Sequence, residues 1–174
     1  DQLCGSSTRT HRPRRDIRTA RQATGALVLL VEDDDAVRTA TEFYLKTVGH
    51  TAISAARISA AEEALASAPR LPDLIITDYH LGGGETGLQA IARLRARAGR
   101  QLPALVLSGD TSPALLKLAE EDACRVLSKP VDVKSLIIEI SRILENGPQA
   151  GAPGSTVAGA PATAGASQPQ ASTF

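Results

Sequence analysis

The sequence predicts an α/β fold: an open, doubly wound parallel sheet with helices on both faces. Three observations carry this. Between residues 26 and 145, five short β-type runs alternate strictly with five amphipathic helical stretches. Three of the runs are apolar without interruption, the pattern of parallel strands covered on both faces. Chain breakers sit at the joints, at Gly49, Pro69, Pro72, the Gly82 to Gly84 run, Pro103, Pro113 and Gly147. Such alternation implies right-handed crossovers between neighbouring strands.

The first strand is predicted over 26–31 (ALVLLV), and the helix after it over 36–48. Val37, Ala40, Phe43, Tyr44 and Val48 fall at helical spacing there and are expected to form its apolar face. Asp35, with Asp34, can cap that helix. A second strand over 51–55 and a helix over 59–67 precede the third strand, 74–77 (LIIT), and a helix over 87–98. The fourth strand, 104–107 (ALVL), leads to a helix over 112–121, where Ser112 reads as the N-cap and Pro113 as the first helical residue. A fifth strand over 125–127 and a helix over 133–144 complete the series.

With 174 residues, 43% of them hydrophobic and 22% charged, the chain suits one domain with tails. No apolar run approaches the roughly 20 residues that span a bilayer, and the N-terminus lacks the pattern of a secretory signal. Cys4 and Cys124 are too few and too far apart for a disulfide framework or a zinc site, so a reducing, intracellular setting is expected. A chain that begins at Asp1 and contains no Met reads as a piece of a longer polypeptide. The net charge of zero hides an asymmetry: residues 1–25 carry six Arg against Asp1 and Asp16, a balance of +4, which leaves −4 for the rest. This arm reads as a basic flexible linker, with weak attraction to phosphate or acidic surfaces as the sharper reading. Residues 146–174, without a charged side chain and rich in Ala, Gly and Pro, read as a disordered linker. The acidic central region, with no helix-turn-helix after it, argues against direct binding of nucleic acid.

In an open α/β sheet, ligands bind beyond the carboxyl ends of the strands. The residues found there are Glu32-Asp33-Asp34-Asp35, then Asp78, then Ser108-Gly109-Asp110, then Ser128-Lys129-Pro130. Carboxylates gathered on one rim repel one another unless a cation or Lys129 neutralises them. A hard divalent ion suits these oxygen donors, and Mg²⁺ suits them better than zinc. Each residue also has an ordinary reading: Asp34 and Asp35 as caps, Ser108 and Asp110 as turn residues, Lys129 as a surface lysine. Asp78 has no capping duty, and the conjunction of residues carries the argument.

The motifs LLVEDD at 29–34, PDLIITDYHL at 72–81, GETG at 84–87, LPALVLSGD at 102–110 and LSKP at 127–130 resemble, in order and spacing, a response-regulator receiver domain of two-component signalling. The likeness covers residues 26–145, and the SGDTSP and LSKPV wording is most similar to receivers of hybrid sensor histidine kinases. The resemblance implies a flavodoxin-like (βα)5 sheet with strand order 2-1-3-4-5. It implies that Asp78 is the phosphoacceptor, that Asp33 binds Mg²⁺ directly and Glu32 chiefly through water, and that Asp78 and the backbone carbonyl of His80 complete the ligands. Ser108 and Lys129 match the hydroxyl and the lysine that hold the phosphoryl group, and Lys129–Pro130 matches a cis peptide. The implied partner is a sensor histidine kinase or a histidine phosphotransfer protein, the implied location cytoplasmic, with weak homodimerisation and no membrane insertion of this segment. Chemistry would be limited to self-phosphorylation and autodephosphorylation, without catalytic turnover.

Two positions depart from the family pattern: Val126 stands where an aromatic switch residue is usual, and Ser108 where Thr is common, which implies a shallower switch. The His80 side chain is expected to face solvent. A docking module that keeps the fold without the chemistry is the alternative reading. A Mg²⁺ hydrolase on the same sheet is disfavoured, because His80 stands where a second acid would be needed.

Overall fold

The computed structural model describes residues 25–146, so the two expected linkers lie outside the described residues except for Gly25 and Asn146, the latter being the last residue of a helix. Five strands, β1 (Leu27–Val31), β2 (Thr51–Ala55), β3 (Leu74–Asp78), β4 (Ala104–Ser108) and β5 (Arg125–Ser128), form one sheet in the order β2-β1-β3-β4-β5, with all four pairings parallel. The helices are α1 (Asp35–Thr47), α2 (Ile58–Ser67), α3 (Gly87–Ala98), α4 (Pro113–Glu121) and α5 (Val133–Asn146), and a 3₁₀ turn covers Gly82–Gly84. This is the expected flavodoxin-like sheet, with strand order 2-1-3-4-5. No helix among the described residues is long and apolar enough to cross a membrane.

Side chains alternate across each strand and so divide the core in two. Leu29, Val31, Ile75 and Val106 face α2, α3 and α4, packing with Ile58, Leu65, Ile91 and Leu94. Val28, Leu30, Leu74, Ile76 and Leu105 face the opposite side, with Leu45 of α1 and Leu136, Ile140 and Ile143 of α5. Every residue of β1 and β4 is buried, which is why those runs read as continuously apolar. The edge strands β2 and β5 are more exposed, and β5 is tied to α5 by the ion pair of Arg125 with Glu139.

The apolar face predicted for α1 is corrected. Thr41 and Leu45 are its buried residues, whereas Val37, Tyr44 and Val48 are exposed and Phe43 is 66% exposed. Periodicity finds a stripe without saying which of two neighbouring stripes turns inward, and the larger side chains lost to the one that meets the sheet. Of the two acids expected to cap this helix, Asp34 is the N-cap, its Oδ1 accepting from the Ala36 and Val37 amides at 2.9 and 3.0 Å. Asp35 is the first residue of the helix and pairs with Arg38. Ser112 caps α4 as expected, accepting from Leu115 N–H with Pro113 in the first turn.

Two glycines are dictated by close approach. Gly25 has φ +57°, and a Cβ there would lie 1.9 Å from the Gly49 carbonyl oxygen. A Cβ on Gly87, at the start of α3, would lie 2.4 Å from the carbonyl oxygen of Asp78.

Candidate functional site

The order β2-β1-β3 reverses the direction of winding at β1, and the crevice at that point opens between the carboxyl ends of β1 and β3. Both strands carry acids there. Val31 and Thr77 are partners in register, so Glu32, the first residue past β1, and Asp78, the last of β3, stand side by side. Glu32, Asp33 and Asp78 each place a carboxylate oxygen within 4.8 Å of the others.

The three acids sit in different environments. Glu32 is only 2% exposed; its Oε1 accepts from Asp34 N–H at 3.2 Å, and its Oε2 has no hydrogen-bond partner. Burial, more than any neighbour, pushes its carboxyl above the usual range; the Asp34 amide and Lys129 pull it down, and Asp78 and Asp33 push it further up. Asp78 is half-buried and Asp33 exposed. Lys129, the first residue past β5, reaches across the rim, with Nζ 3.0 Å from Asp78 Oδ1 and 3.7 Å from Glu32 Oε2. Its amide donates to the Ser108 carbonyl at 2.8 Å, which aims the residue at the crevice, and the Lys129–Pro130 bond that follows is cis.

The donor set fits a hard divalent cation. It offers oxygen atoms only, at three close positions, and one of these is a buried carboxylate oxygen without a hydrogen bond, its ion-pair contact being Lys129 at 3.7 Å. Such an atom is costly to bury alone, and a cation removes that cost.

Asp78 is held through its backbone. The Thr77 hydroxyl donates to the Asp78 carbonyl at 2.9 Å, Tyr79 N–H donates to Leu107 O at 2.8 Å, and Gly87 N–H donates to Tyr79 O at 2.8 Å. The start of α3 thus packs on the segment that carries Asp78, a role for Gly87 that the GETG motif does not reveal from spacing alone. Ser108 is fully buried at the end of β4; its Oγ accepts from Asp110 N–H at 3.0 Å, so its own hydroxyl hydrogen remains available to donate. His80 bridges Thr86 through backbone, and its exposed ring packs edge-on against Tyr79 at 4.7 Å. Val126 is half-buried, opposite Val106, against the core on the α2–α3–α4 side. Arg38, which the sequence did not single out, donates from Nη1 to the Glu32 carbonyl at 2.8 Å.

The model of the response regulator receiver domain matches residues 28–141. The chain belongs to the response regulator receiver family. Similar proteins include the sensory/regulatory protein RpfC of Xanthomonas campestris pv. campestris, 30% identical over 75% of this chain and 18% of that protein. The transcriptional regulatory protein AfsQ1 of Streptomyces coelicolor is 34% identical over 69% of this chain and 52% of its own length. The receiver therefore spans about a fifth to a half of these two curated relatives. Among solved structures, the chemotaxis protein CheY4 of Vibrio cholerae superposes with a TM-score of 0.63 at 26% identity, covering 69% of this chain and 99% of that one. A response regulator receiver protein from Pseudomonas putida gives 0.59 at 33% identity, over 68% and 97%. The chain is thus a receiver domain of two-component signalling, with a regulatory role.

Proposed function

We propose that this receiver takes a phosphoryl group from a phosphohistidine onto Asp78 and changes conformation in response, as one step of a phosphorelay. The observation that carries the reading is the Lys129 ammonium 3.0 Å from Asp78 Oδ1, beside a buried Glu32 whose Oε2 lacks a hydrogen-bond partner. Lys129 holds one Asp78 oxygen and leaves the other to attack phosphorus as the P–N bond to the donor imidazole breaks.

Glu32, Asp33, Asp78 and the His80 backbone carbonyl would hold Mg²⁺. Bound there, the ion supplies positive charge for the peripheral oxygens of a loose phosphoryl-transfer transition state. Lys129 supplies the remainder and keeps its pairing with the acyl phosphate afterwards. Covalent attachment adds about −1.5 to −2 charges, by analogy with phosphoserine. Ser108, with its hydroxyl hydrogen free, can donate to a phosphoryl oxygen and draw the 109–112 loop with it. Val126 offers little area to couple that shift to the surface, so the switch is shallow.

The donor is a sensor histidine kinase or a histidine phosphotransfer protein, and the parent chain a hybrid kinase in the cytoplasm, with residues 1–25 and 146–174 joining the receiver to its neighbours. Each event is stoichiometric, not catalytic turnover. The test uses phosphoramidate, a small donor with the same P–N bond, followed by borohydride reduction, which converts an aspartyl phosphate to homoserine. Homoserine at position 78 alone is the expected result. Homoserine at another acid, or at none, refutes the proposal.

A further inference from the structure

We propose that Arg38 is a positioning residue that sets the divalent-cation affinity of the acidic crevice. Arg38 lies one turn into α1 and ligates nothing itself. Its Nη1 donates to the Glu32 backbone carbonyl at 2.8 Å, and its Nη2 bonds the Asp35 carboxylate. The Arg38 amide donates to Asp34 O at 2.8 Å, and Glu32 N–H donates to Ala55 O at 3.0 Å. The backbone of Glu32 is therefore held on one side by β2 and on the other by the guanidinium.

This matters because Glu32 lies past the end of β1, where no strand remains to hold its carbonyl. A side chain must do so, and the arginine is itself mostly buried, at 19% exposed. The planar fork reaches the carbonyl and Asp35 together, whereas a lysine presents one compact head. Charge and position make opposite predictions. A cation near three carboxylates weakens binding of another cation, so its removal should tighten Mg²⁺ on charge alone. If Arg38 holds Glu32 and Asp33 in their binding geometry, its removal should weaken Mg²⁺, on the scale of about 10- to 100-fold seen for outer-shell partners of metal ligands.

The metal arm of this inference rests on the proposed Mg²⁺ site, and a second arm does not. Mg²⁺ is titrated calorimetrically into wild type, Arg38→Met and Arg38→Lys, and amide hydrogen exchange at 32–34 is measured without metal. The expected result is at least tenfold weaker Mg²⁺ binding by Arg38→Met, only partial recovery in Arg38→Lys, and at least tenfold faster exchange at 32–34 with β4 unchanged. Equal or tighter Mg²⁺ binding by Arg38→Met overturns the proposal, as does unchanged exchange at 32–34. Should Arg38→Met not fold, Arg38→Lys decides, and wild-type affinity in it refutes the role. Absence of Mg²⁺ binding by wild type, with exchange still accelerated in the variant, refutes the metal site and leaves Arg38 as the residue that positions Glu32.

Discussion

Replacing Gly87 by Ala tests how Asp78, the proposed phosphoacceptor, is held. The new Cβ would lie 2.4 Å from the Asp78 carbonyl oxygen, 2.9 Å from Thr77 Cγ2 and 3.1 Å from Thr77 Oγ1. Ordinary contact begins near 3.4 Å, so α3 and the end of β3 must separate by about 1 Å, and the nearest atom is backbone with no rotamer to turn aside. Overpacking of this kind costs about 1–3 kcal/mol, and backbone against backbone belongs at the upper end. Alanine regains at most about 1 kcal/mol of helix propensity, less at the first helical residue. The net expectation is about 2 kcal/mol of destabilisation, a fall in Tm of roughly 8 °C for a domain of this size. A displacement of this order at Asp78 should also slow phosphorylation by about 10- to 100-fold. Circular-dichroism melts and phosphoramidate kinetics read the two effects, with Gly109→Ala, which meets nothing within 4 Å, as the comparison. A Gly87→Ala domain as stable and as readily phosphorylated as wild type refutes the argument.

Lys129→Met should slow phosphorylation by at least about 100-fold and, without metal, lower stability by about 1 kcal/mol, a figure discounted for the partial exposure of the lysine; unchanged rates by intact mass would contradict this. Because the Glu32 carboxyl is raised in the fold, the metal-free domain binds this proton more tightly than the unfolded chain does. That stabilisation is complete below the ordinary value of 4.5 and disappears as pH rises through the folded value, so denaturant titrations should show a Glu32→Gln variant with a flatter profile just above pH 4.5. His50 is lowered mainly by burial, against the opposing pull of Asp73, and its Nδ1 accepts from Ala26 N–H at 3.0 Å. Its contribution is intact above the unfolded value of 6.5 and lost as pH falls through the folded value; His50→Asn, which keeps an acceptor without titrating, should flatten stability below pH 6.5. Burial pushes the Cys124 thiol up to about 11, so iodoacetamide at neutral pH should modify it only after unfolding, as peptide mapping will show.

The sheet was legible because burial on both faces writes itself as uninterrupted apolar runs, and the site because an α/β sheet gathers its ligands past the strand ends. Glu32, Asp33 and Asp78 were found that way, and the structure gathers these three. The expected strand ends stop one residue short at β3, β4 and β5, since Asp78, Ser108 and Ser128 each extend a strand although they are polar. The inward face of α1 was not legible, because Thr41 and Leu45 compete with a larger apolar stripe and only contact with β1 and β2 decides between them. Nor were Gly87 and Arg38: one is an absent Cβ and the other bonds to a backbone carbonyl, and neither leaves a periodic or charge pattern in the chain.

The central claim is tested most directly by the intact mass of the domain after incubation with phosphoramidate, with and without Mg²⁺, beside Asp78→Asn. The account predicts one phosphoryl adduct that requires both the metal and Asp78. No adduct in wild type with Mg²⁺ present, or an adduct that persists in Asp78→Asn, would contradict it.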